Sequence, residues 1–187
     1  MFARTDRLLL RPGWAEDAPA LARAIADETI VRNLASAPWP YRLADAEAFV
    51  AERPVDPVNS SLLILRRTAR APELVGVIGL ARMANGEVDL GYWIARAHWG
   101  RGYATEAGSA VIAMARDGLR LERLTAGHFL DNPASGRVLE KLGFRATGEV
   151  VRRYSVGRKA AAPCRMFVRD LSDGLACREP LCPAMAA

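Results

Sequence analysis

The feature that most constrains this chain of 187 residues is a segment near its middle, residues 88–115, in which glycines separate a strand pattern from a helix pattern. Residues 88–95 predict a strand, and residues 103–116 predict a helix with one small and apolar face. Backbone N–H groups at the start of a helix are unpaired, and the helix dipole favours negative charge there. Gly100 and Gly102 allow a ligand to approach the backbone closely. The segment therefore predicts a cradle for an anion, with a phosphate-bearing ligand as the first hypothesis.

Composition limits the classes of protein to which the chain can belong. Apolar residues make up 51% of it, and the net charge is +5. These values predict a folded domain that attracts anionic ligands or acidic partners. No cationic run is interleaved with aromatic residues, so we do not expect nucleic-acid binding. No apolar run approaches the roughly 18 residues of a membrane span, and residues 1–7 lack a secretory core, so we expect a cytoplasmic protein with no membrane partner.

The cysteines do not indicate a metal centre or a disulfide framework. The chain has three of them, Cys164, Cys177 and Cys182. An odd number without a C-x-x-C pair is not the pattern of either kind of site. We therefore expect no metal.

The order of the predicted elements indicates a mixed α/β fold with an antiparallel front and a crossover behind. Asn132 and Pro133 predict the N-cap and first residue of a helix, and Gly118 and Gly143 fit positions just past helix ends. With no repeat and no linker, we predict one domain over residues 1–170 and a loose tail over residues 171–187. The remaining predicted segments are helices over residues 14–26, 29–34 and 43–52, and strands over residues 5–11, 61–67, 73–81, 124–130, 146–156 and 164–170.

Two familiar nucleotide-binding loops do not fit the glycine turn. A P-loop needs a lysine after its glycines, and none follows Gly102. A dinucleotide-binding fingerprint belongs to the first βαβ unit, whereas this turn follows an antiparallel meander, and Thr105 stands where the third glycine would be. The anion is therefore expected to belong to a different kind of cofactor.

Two blocks of the sequence resemble the GNAT superfamily of acetyl-CoA-dependent N-acetyltransferases. The first, Trp99-Gly100-Arg101-Gly102-Tyr103-Ala104, is similar to its [Q/R]-x-x-G-x-[G/A] motif, with tryptophan in place of the glutamine or arginine. The second runs from Asn132 through Ser135 to Phe144 and is similar to the N-x-x-S…K-x-G-F of the Rim-type branch, which acetylates ribosomal-protein N-termini. The opening of the chain, R-L-L-L-R-P from Arg7, also resembles the first strand of that branch. The resemblance covers about residues 5–170 and implies a mostly antiparallel sheet with a splayed central strand and flanking helices.

The resemblance implies acetyl-CoA as cofactor and a set of residues that would bind it. Amides of the turn would hold the pyrophosphate, and the end of the central strand would pair with the pantetheine arm. Asn132 would add a hydrogen bond to that arm, although a plain N-cap role explains it equally well. The expected cofactor-binding residues are Ile94, Ala95, Arg96, Trp99, Gly100, Arg101, Gly102, Tyr103, Ala104, Thr105, Asn132 and Ser135.

Direct attack of an amine on a thioester needs a route for the amine proton and a donor for the departing sulfur. The candidate base is Asp89, acting through a water, with Glu87 as the alternate because the period of a strand places it on the same face. An ion pair with a nearby arginine is an equally open interpretation of Asp89. The candidate donor is Ser135, because Leu139 occupies the position at which many relatives carry a tyrosine acid. We expect Tyr92 to be part of the core and the cleft wall.

The acceptor is an amine of one of two classes. The free-base fraction at neutral pH is roughly a few hundred-fold larger for an α-amine than for a lysine side chain, which favours a protein or peptide N-terminus. A small-molecule amine and a non-catalytic acyl-CoA-binding module remain as alternatives, and the family implies a homodimer. Residues 33–41, which we call the acceptor segment, would lie beside the acceptor cleft.

Overall fold

An eight-stranded sheet runs through the molecule, and the computed structural model describes residues 2–52 and 54–172. The strand order is β1-β2-β3-β4-β5-β6-β8-β7. Its strands are β1 (Ala3–Arg4), β2 (Leu8–Arg11), β3 (Ser60–Arg66), β4 (Glu73–Arg82), β5 (Val88–Ile94), β6 (Arg123–Phe129), β7 (Arg145–Ser155) and β8 (Ala160–Asp170). The helices are α1 (Ala18–Ile25), α2 (Glu28–Val31), α3 (Leu43–Ala51), α4 (Tyr103–Asp117) and α5 (Pro133–Lys141), with short 3₁₀ turns at Ala15–Asp17 and Arg96–His98.

The predicted fold class is confirmed. All neighbouring strands are antiparallel except β5 and β6, which run parallel and share a single registered pair, Asp89 with Thr125. Beyond that pair the two strands share no registered residues, so they separate. This separation is the splay that the resemblance implied, and it opens a cleft within the sheet.

Two local expectations are wrong. The segment over residues 5–11 is not one strand, because Thr5 starts a turn between β1 and β2 in which its N–H donates to the Leu8 carbonyl at 3.0 Å. Gly118 follows α4 but keeps a right-handed conformation with φ −93°, and Arg120 is the left-handed residue at φ 55°. Gly143, at φ 76°, does take the predicted left-handed conformation after α5.

The chain end falls partly outside the described residues. The predicted tail over residues 171–187 is described only for its first two residues, and Cys177 and Cys182 lie outside this range. Leu171 is buried, and its N–H donates to the Glu122 carbonyl at 2.7 Å. The packing of the domain therefore extends to residue 171.

The core lies on both faces of the sheet. Helices α4 and α5 cover one face, where Leu90 and Ile94 of β5 join a large apolar cluster. Helices α1 and α3 cover part of the other face, against the row that includes Trp93. Because side chains alternate along a strand, Asp89, Gly91 and Trp93 point to the α1 and α3 side, whereas Tyr92 points to the α4 and α5 side.

Leu139 fixes α5 on the sheet. Its side chain is 1% exposed within the cluster beneath α4 and α5. We expect Leu139→Ala to lower the free energy of unfolding by about 2–5 kcal/mol, because it removes buried methyl groups and leaves a cavity. Chemical denaturation measures this, and Glu140→Ala on the exposed side of the same helix is the control. Equal losses in the two variants would contradict this packing.

Candidate functional site

A cleft of about 1320 Å³ opens where β5 and β6 separate. Pockets for a single drug-sized ligand occupy about 300–1000 Å³, so this cleft has room for more than one ligand group. Its walls come from the glycine turn, from α5 and from the acceptor segment. The predicted cofactor and acceptor regions therefore face one shared space.

The glycine turn has the backbone geometry of an anion cradle. Gly100 and Gly102 have φ values of 72° and 78°, which an L side chain rarely adopts. The first hydrogen bond of α4 runs from the Glu106 N–H to the Gly102 carbonyl at 3.0 Å. The amides of residues 103–105 therefore precede the helical ladder and remain available at the positive end of the helix dipole. These groups fit a diphosphate.

The cradle is tied to the first hairpin through Glu106. Arg7 binds Glu106 with its backbone N–H at 2.9 Å and its Nε at 2.7 Å, and Thr5 donates its hydroxyl to the same carboxylate. Arg7 also donates to the Arg101 carbonyl at 3.0 Å and lies over the Tyr103 ring. Partial burial raises the pKa of Glu106, but these hydrogen bonds outweigh it and hold the pKa below its usual value. An acid in the first turn of α4 was the sequence signal for this anchor, but its partners on the hairpin could not be read from it.

The predicted cofactor residues divide into backbone and side-chain groups. The side chains of Tyr103 and Ala104 are buried in the core, so these residues present only their amides. Trp99 donates its indole N–H to the Ile94 carbonyl at 2.6 Å. That bond fixes the turn against the end of β5 and occupies one of the backbone groups that the sequence assigned to the pantetheine arm.

The backbone groups of Ala95, at the end of β5, also have hydrogen-bond partners within the chain. The Ala95 N–H donates to the Val75 carbonyl at 2.8 Å, and the Ala95 carbonyl accepts from His98 at 2.8 Å. The Arg96 guanidinium is exposed and reaches Asp27 at 3.4 Å. Arg96 and Arg101 are both exposed and do not line the cleft, so their positive charge acts on the cradle from outside it.

Asp89 lies at the base of the cleft, where β5 and β6 make their one registered contact. It forms an ion pair with Arg153 at 2.6 Å and accepts a hydrogen bond from the Thr125 hydroxyl. The ion-pair interpretation left open by the sequence therefore holds. Each carboxylate oxygen has a second lone pair, so a water in the cleft can still reach Asp89.

Glu87 does not share this position. It is exposed at the end of the turn before β5, and its carboxylate accepts from the Asn85 side chain at 2.8 Å. The expectation that Glu87 shares the strand face of Asp89 finds no support, because Glu87 precedes β5, which begins at Val88, and does not line the cleft. Of the two candidate bases, Asp89 is the one that lines the cleft.

Ser135 faces the cleft from the first turn of α5 and has a partner that the sequence did not indicate. Its N–H donates to the Asn132 side chain at 3.4 Å, as the predicted N-cap requires. Its hydroxyl lies 2.8 Å from the Tyr92 hydroxyl, which also donates to the Ser135 carbonyl at 3.0 Å. Burial raises the pKa of Tyr92 to about 12. Leu139, by contrast, is in the core, so α5 presents no tyrosine here.

The acceptor segment is held by the turn between β7 and β8. The Ser155 hydroxyl donates to the Leu34 carbonyl at 2.7 Å. Arg158 donates to Asn33 at 2.9 Å and to both oxygens of Asp131 at 2.8 Å. One wall of the cleft is thus built from two distant parts of the chain.

The floor beside that wall is bare. Ser61, Gly79 and Gly91 form one row across β3, β4 and β5, and they line the cleft. The next row, which ends in Trp93, packs beneath α1 and α3. This row is therefore a trough that opens to the cleft, and Asp89 lies two residues from Gly91 on the same face of β5.

Residues 2–52 and 54–172 contain neither a candidate metal centre nor a candidate membrane span. No group of three or more histidine, cysteine or acidic side chains could hold a metal ion. No helix in this part of the chain is both long enough and apolar enough to cross a membrane.

Comparisons with known proteins agree with this geometry. Residues 7–145 match the family model described as an acetyltransferase (GNAT) domain. The uncharacterized N-acetyltransferase YoaA of Bacillus subtilis (strain 168) is 31% identical over 159 residues, which cover 80% of this chain and 85% of that protein.

Solved structures of the same fold include enzymes with different acceptors. The spermidine N-acetyltransferase from Vibrio cholerae, solved with CoA and spermine, has a TM-score of 0.75 at 16% identity, covering 91% of this chain and 99% of that one. The ribosomal L7/L12 α-N-protein acetyltransferase RimL, solved with CoA, has a TM-score of 0.73 at 19% identity, covering 91% and 98%. At these identities the likeness concerns the fold.

A matched pair of glycine variants tests the cradle. Gly102 and Gly86 both have positive φ, at 78° and 85°, but Gly86 lies in the turn before β5, away from the cleft. A side chain costs about 1–2 kcal/mol of backbone strain at either position. We expect Gly102→Ala to weaken acetyl-CoA binding about tenfold or more in calorimetric titration, and Gly86→Ala to leave it unchanged. Similar affinities in the two variants would exclude the turn as the anion site.

Proposed function

The chain belongs to the GNAT family of acetyltransferases and is an acetyl-CoA-dependent N-acetyltransferase; on that premise we propose that its acceptor is the α-amine of a protein or peptide N-terminus. Bound acetyl-CoA supplies the thioester whose acetyl carbon the amine nitrogen attacks. The chain itself must then bind the diphosphate, position the amine, accept the amine proton and stabilise the departing sulfur.

The observation that carries this proposal is the trough of Ser61, Gly79 and Gly91. A row of small residues on an open sheet face leaves room for an extended main chain to approach the cleft. Asp89, two residues from Gly91 on the same face of β5, places a proton acceptor where an incoming amine would arrive. The net charge of +5 favours an acceptor that is itself acidic.

Amine chemistry supports the same choice. An α-amine has a pKa of about 8 and a lysine side chain about 10.4. The carboxylate at the base of the cleft, Asp89, is already ion-paired with Arg153, and so weak a base suits the amine that loses its proton more readily. The second sequence block, from Asn132 to Phe144, also resembles the Rim-type branch, and we propose that the chain belongs to it.

We propose that the cofactor is held by three groups of the chain. The amides of Gly100, Gly102 and residues 103–105 would bind the diphosphate, with Arg96 and Arg101 adding charge from outside the cleft. Asn132 would position the pantetheine arm, because the Ile94 carbonyl and the Ala95 amide and carbonyl at the end of β5 already have partners within the chain. Ser135 would face the sulfur. A cytoplasmic location and a homodimer stay predictions.

The competing acceptor is a small polyamine. The fold alone accommodates it, as the spermidine enzyme illustrates, but fold does not set the substrate. The carboxylates that line the cleft are Asp45, Glu52 and Asp89. Asp89 is paired with Arg153, Asp45 accepts from the Arg42 N–H at the start of α3, and the net charge of +5 disfavours a polycation. The peptide acceptor is therefore favoured.

A panel of amines decides between these acceptors. We expect the highest kcat/KM, measured as thiol release from acetyl-CoA, with an acidic peptide that has a free alanine N-terminus. The matched controls are the same peptide with a blocked N-terminus and an internal lysine, and spermidine. Preference for spermidine would refute the peptide proposal, and binding of acetyl-CoA with no turnover on any amine would favour a non-catalytic module.

A double-variant cycle tests whether Asp89 receives the amine proton. We expect Asp89→Asn to lower kcat about 100-fold, a typical contribution of a general base. If Asp89 only neutralises Arg153, then the double variant Asp89→Asn/Arg153→Gln would recover most of the activity. We expect it to remain as slow as Asp89→Asn, with unfolding curves confirming that both variants are folded.

A further inference from the structure

The hydroxyl pair formed by Tyr92 and Ser135 joins the two walls of the cleft. Tyr92 extends from β5 and Ser135 from α5, and their oxygens are 2.8 Å apart. Leu139 occupies the only other position on α5 at which the resemblance places a hydroxyl acid, and it is buried in the core. Of the positions on α5 that the resemblance indicates, Ser135 is therefore the one that can offer a donor to the sulfur, and Tyr92 is its partner.

The pair can adopt two donor arrangements. Tyr92 has one hydroxyl proton and two acceptors within reach, the Ser135 carbonyl at 3.0 Å and the Ser135 hydroxyl oxygen at 2.8 Å. When Tyr92 donates to the carbonyl, the Ser135 proton points back to Tyr92. When Tyr92 donates to the hydroxyl oxygen, the Ser135 proton is released toward the cleft. A negative sulfur in the cleft favours the second arrangement, because successive hydrogen bonds polarise one another.

We propose that Tyr92 is a positioning residue that directs the Ser135 hydroxyl at the sulfur of the cofactor, so that the two residues stabilise the departing thiolate as one unit. This inference rests on the proposed function. The amine nitrogen bonds to the acetyl carbon, the carbon–sulfur bond breaks, and its electron pair goes to sulfur. Ser135 donates a hydrogen bond to that sulfur. The amine proton passes to Asp89 and from there to solvent, which supplies the proton that the sulfur finally takes up.

The unit acts by hydrogen bonding and not by giving up a proton. Burial raises the pKa of Tyr92 to about 12, whereas a thiol has a pKa of about 8.5. A thiolate is too weak a base to remove the proton of Tyr92, so Tyr92 stays neutral at working pH. The contribution of Tyr92 to kcat therefore does not titrate in the working pH range. Removing the Tyr92 hydroxyl should lower kcat by the same factor at every pH and leave the shape of the pH profile unchanged.

The first experiment compares Tyr92→Phe, Ser135→Ala and the double variant, with Tyr154→Phe as control because Tyr154 is exposed on β7. The substrates are acetyl-CoA and the peptide with a free alanine N-terminus. We expect each single variant to lower kcat about tenfold, as loss of a hydrogen bond to a charged group does, with KM for acetyl-CoA unchanged. The double variant should lose no more than either single variant. The proposal would be overturned if the losses in kcat of the two single variants multiplied in the double variant. It would also be overturned if the alkaline limb of the pH profile of kcat disappeared in Tyr92→Phe.

The second experiment needs no acceptor. The thiol of bound coenzyme A is titrated by the ultraviolet absorbance of its thiolate. We expect its pKa to rise by about one unit in Tyr92→Phe and in Ser135→Ala relative to the wild type and Tyr154→Phe. An unchanged pKa in either variant would overturn the proposal even if the enzyme is active. A wild-type protein that binds coenzyme A but acetylates no peptide would refute the α-amine acceptor alone, and this titration would still decide the role of Tyr92.

Discussion

The structure depends on one contact, the registered pair of Asp89 and Thr125 between β5 and β6. It joins the two halves of the sheet while leaving the strands free to separate on one side of it. The Asp89 carboxylate strengthens the join, because it accepts from Thr125 on β6 and pairs with Arg153 on β7. A continuous ladder here would close the cleft, and a missing one would split the sheet. The ion pair is therefore part of the architecture as well as part of the site.

Much of the fold could be predicted because local signals agreed with the global pattern. The glycine turn, the N-cap at Asn132 and the strand periods each indicated the element that the structure contains. The short hairpin at Thr5 escaped prediction because two-residue strands carry almost no period. The expectation for Gly118 was wrong because a glycine after a helix can keep a right-handed conformation. The left-handed residue after α4 is instead Arg120.

The site was predicted less completely, because its contacts join residues far apart in the sequence. The roles of Gly100 and Gly102 follow from backbone conformation, which is local. The partners of Ser135 and Glu106 are Tyr92 and Arg7, and no spacing rule connects residues on different elements. The expectation for Glu87 lacks support for a related reason. The alternation of side chains along a strand assigns a face only to residues within that strand, and Glu87 precedes β5.

The tether between the acceptor segment and the β7–β8 turn has a consequence for selectivity. Ser155 and Arg158 hold Leu34, Asn33 and Asp131 in place before any acceptor arrives. The conformational entropy of ordering this wall is therefore lost during folding. An acceptor then binds a surface that is already preorganised. Such a rigid wall discriminates by shape instead of by closing around its ligand. Changes in acceptor preference among relatives could then arise in the β7–β8 turn, far along the chain from the residues that touch the amine.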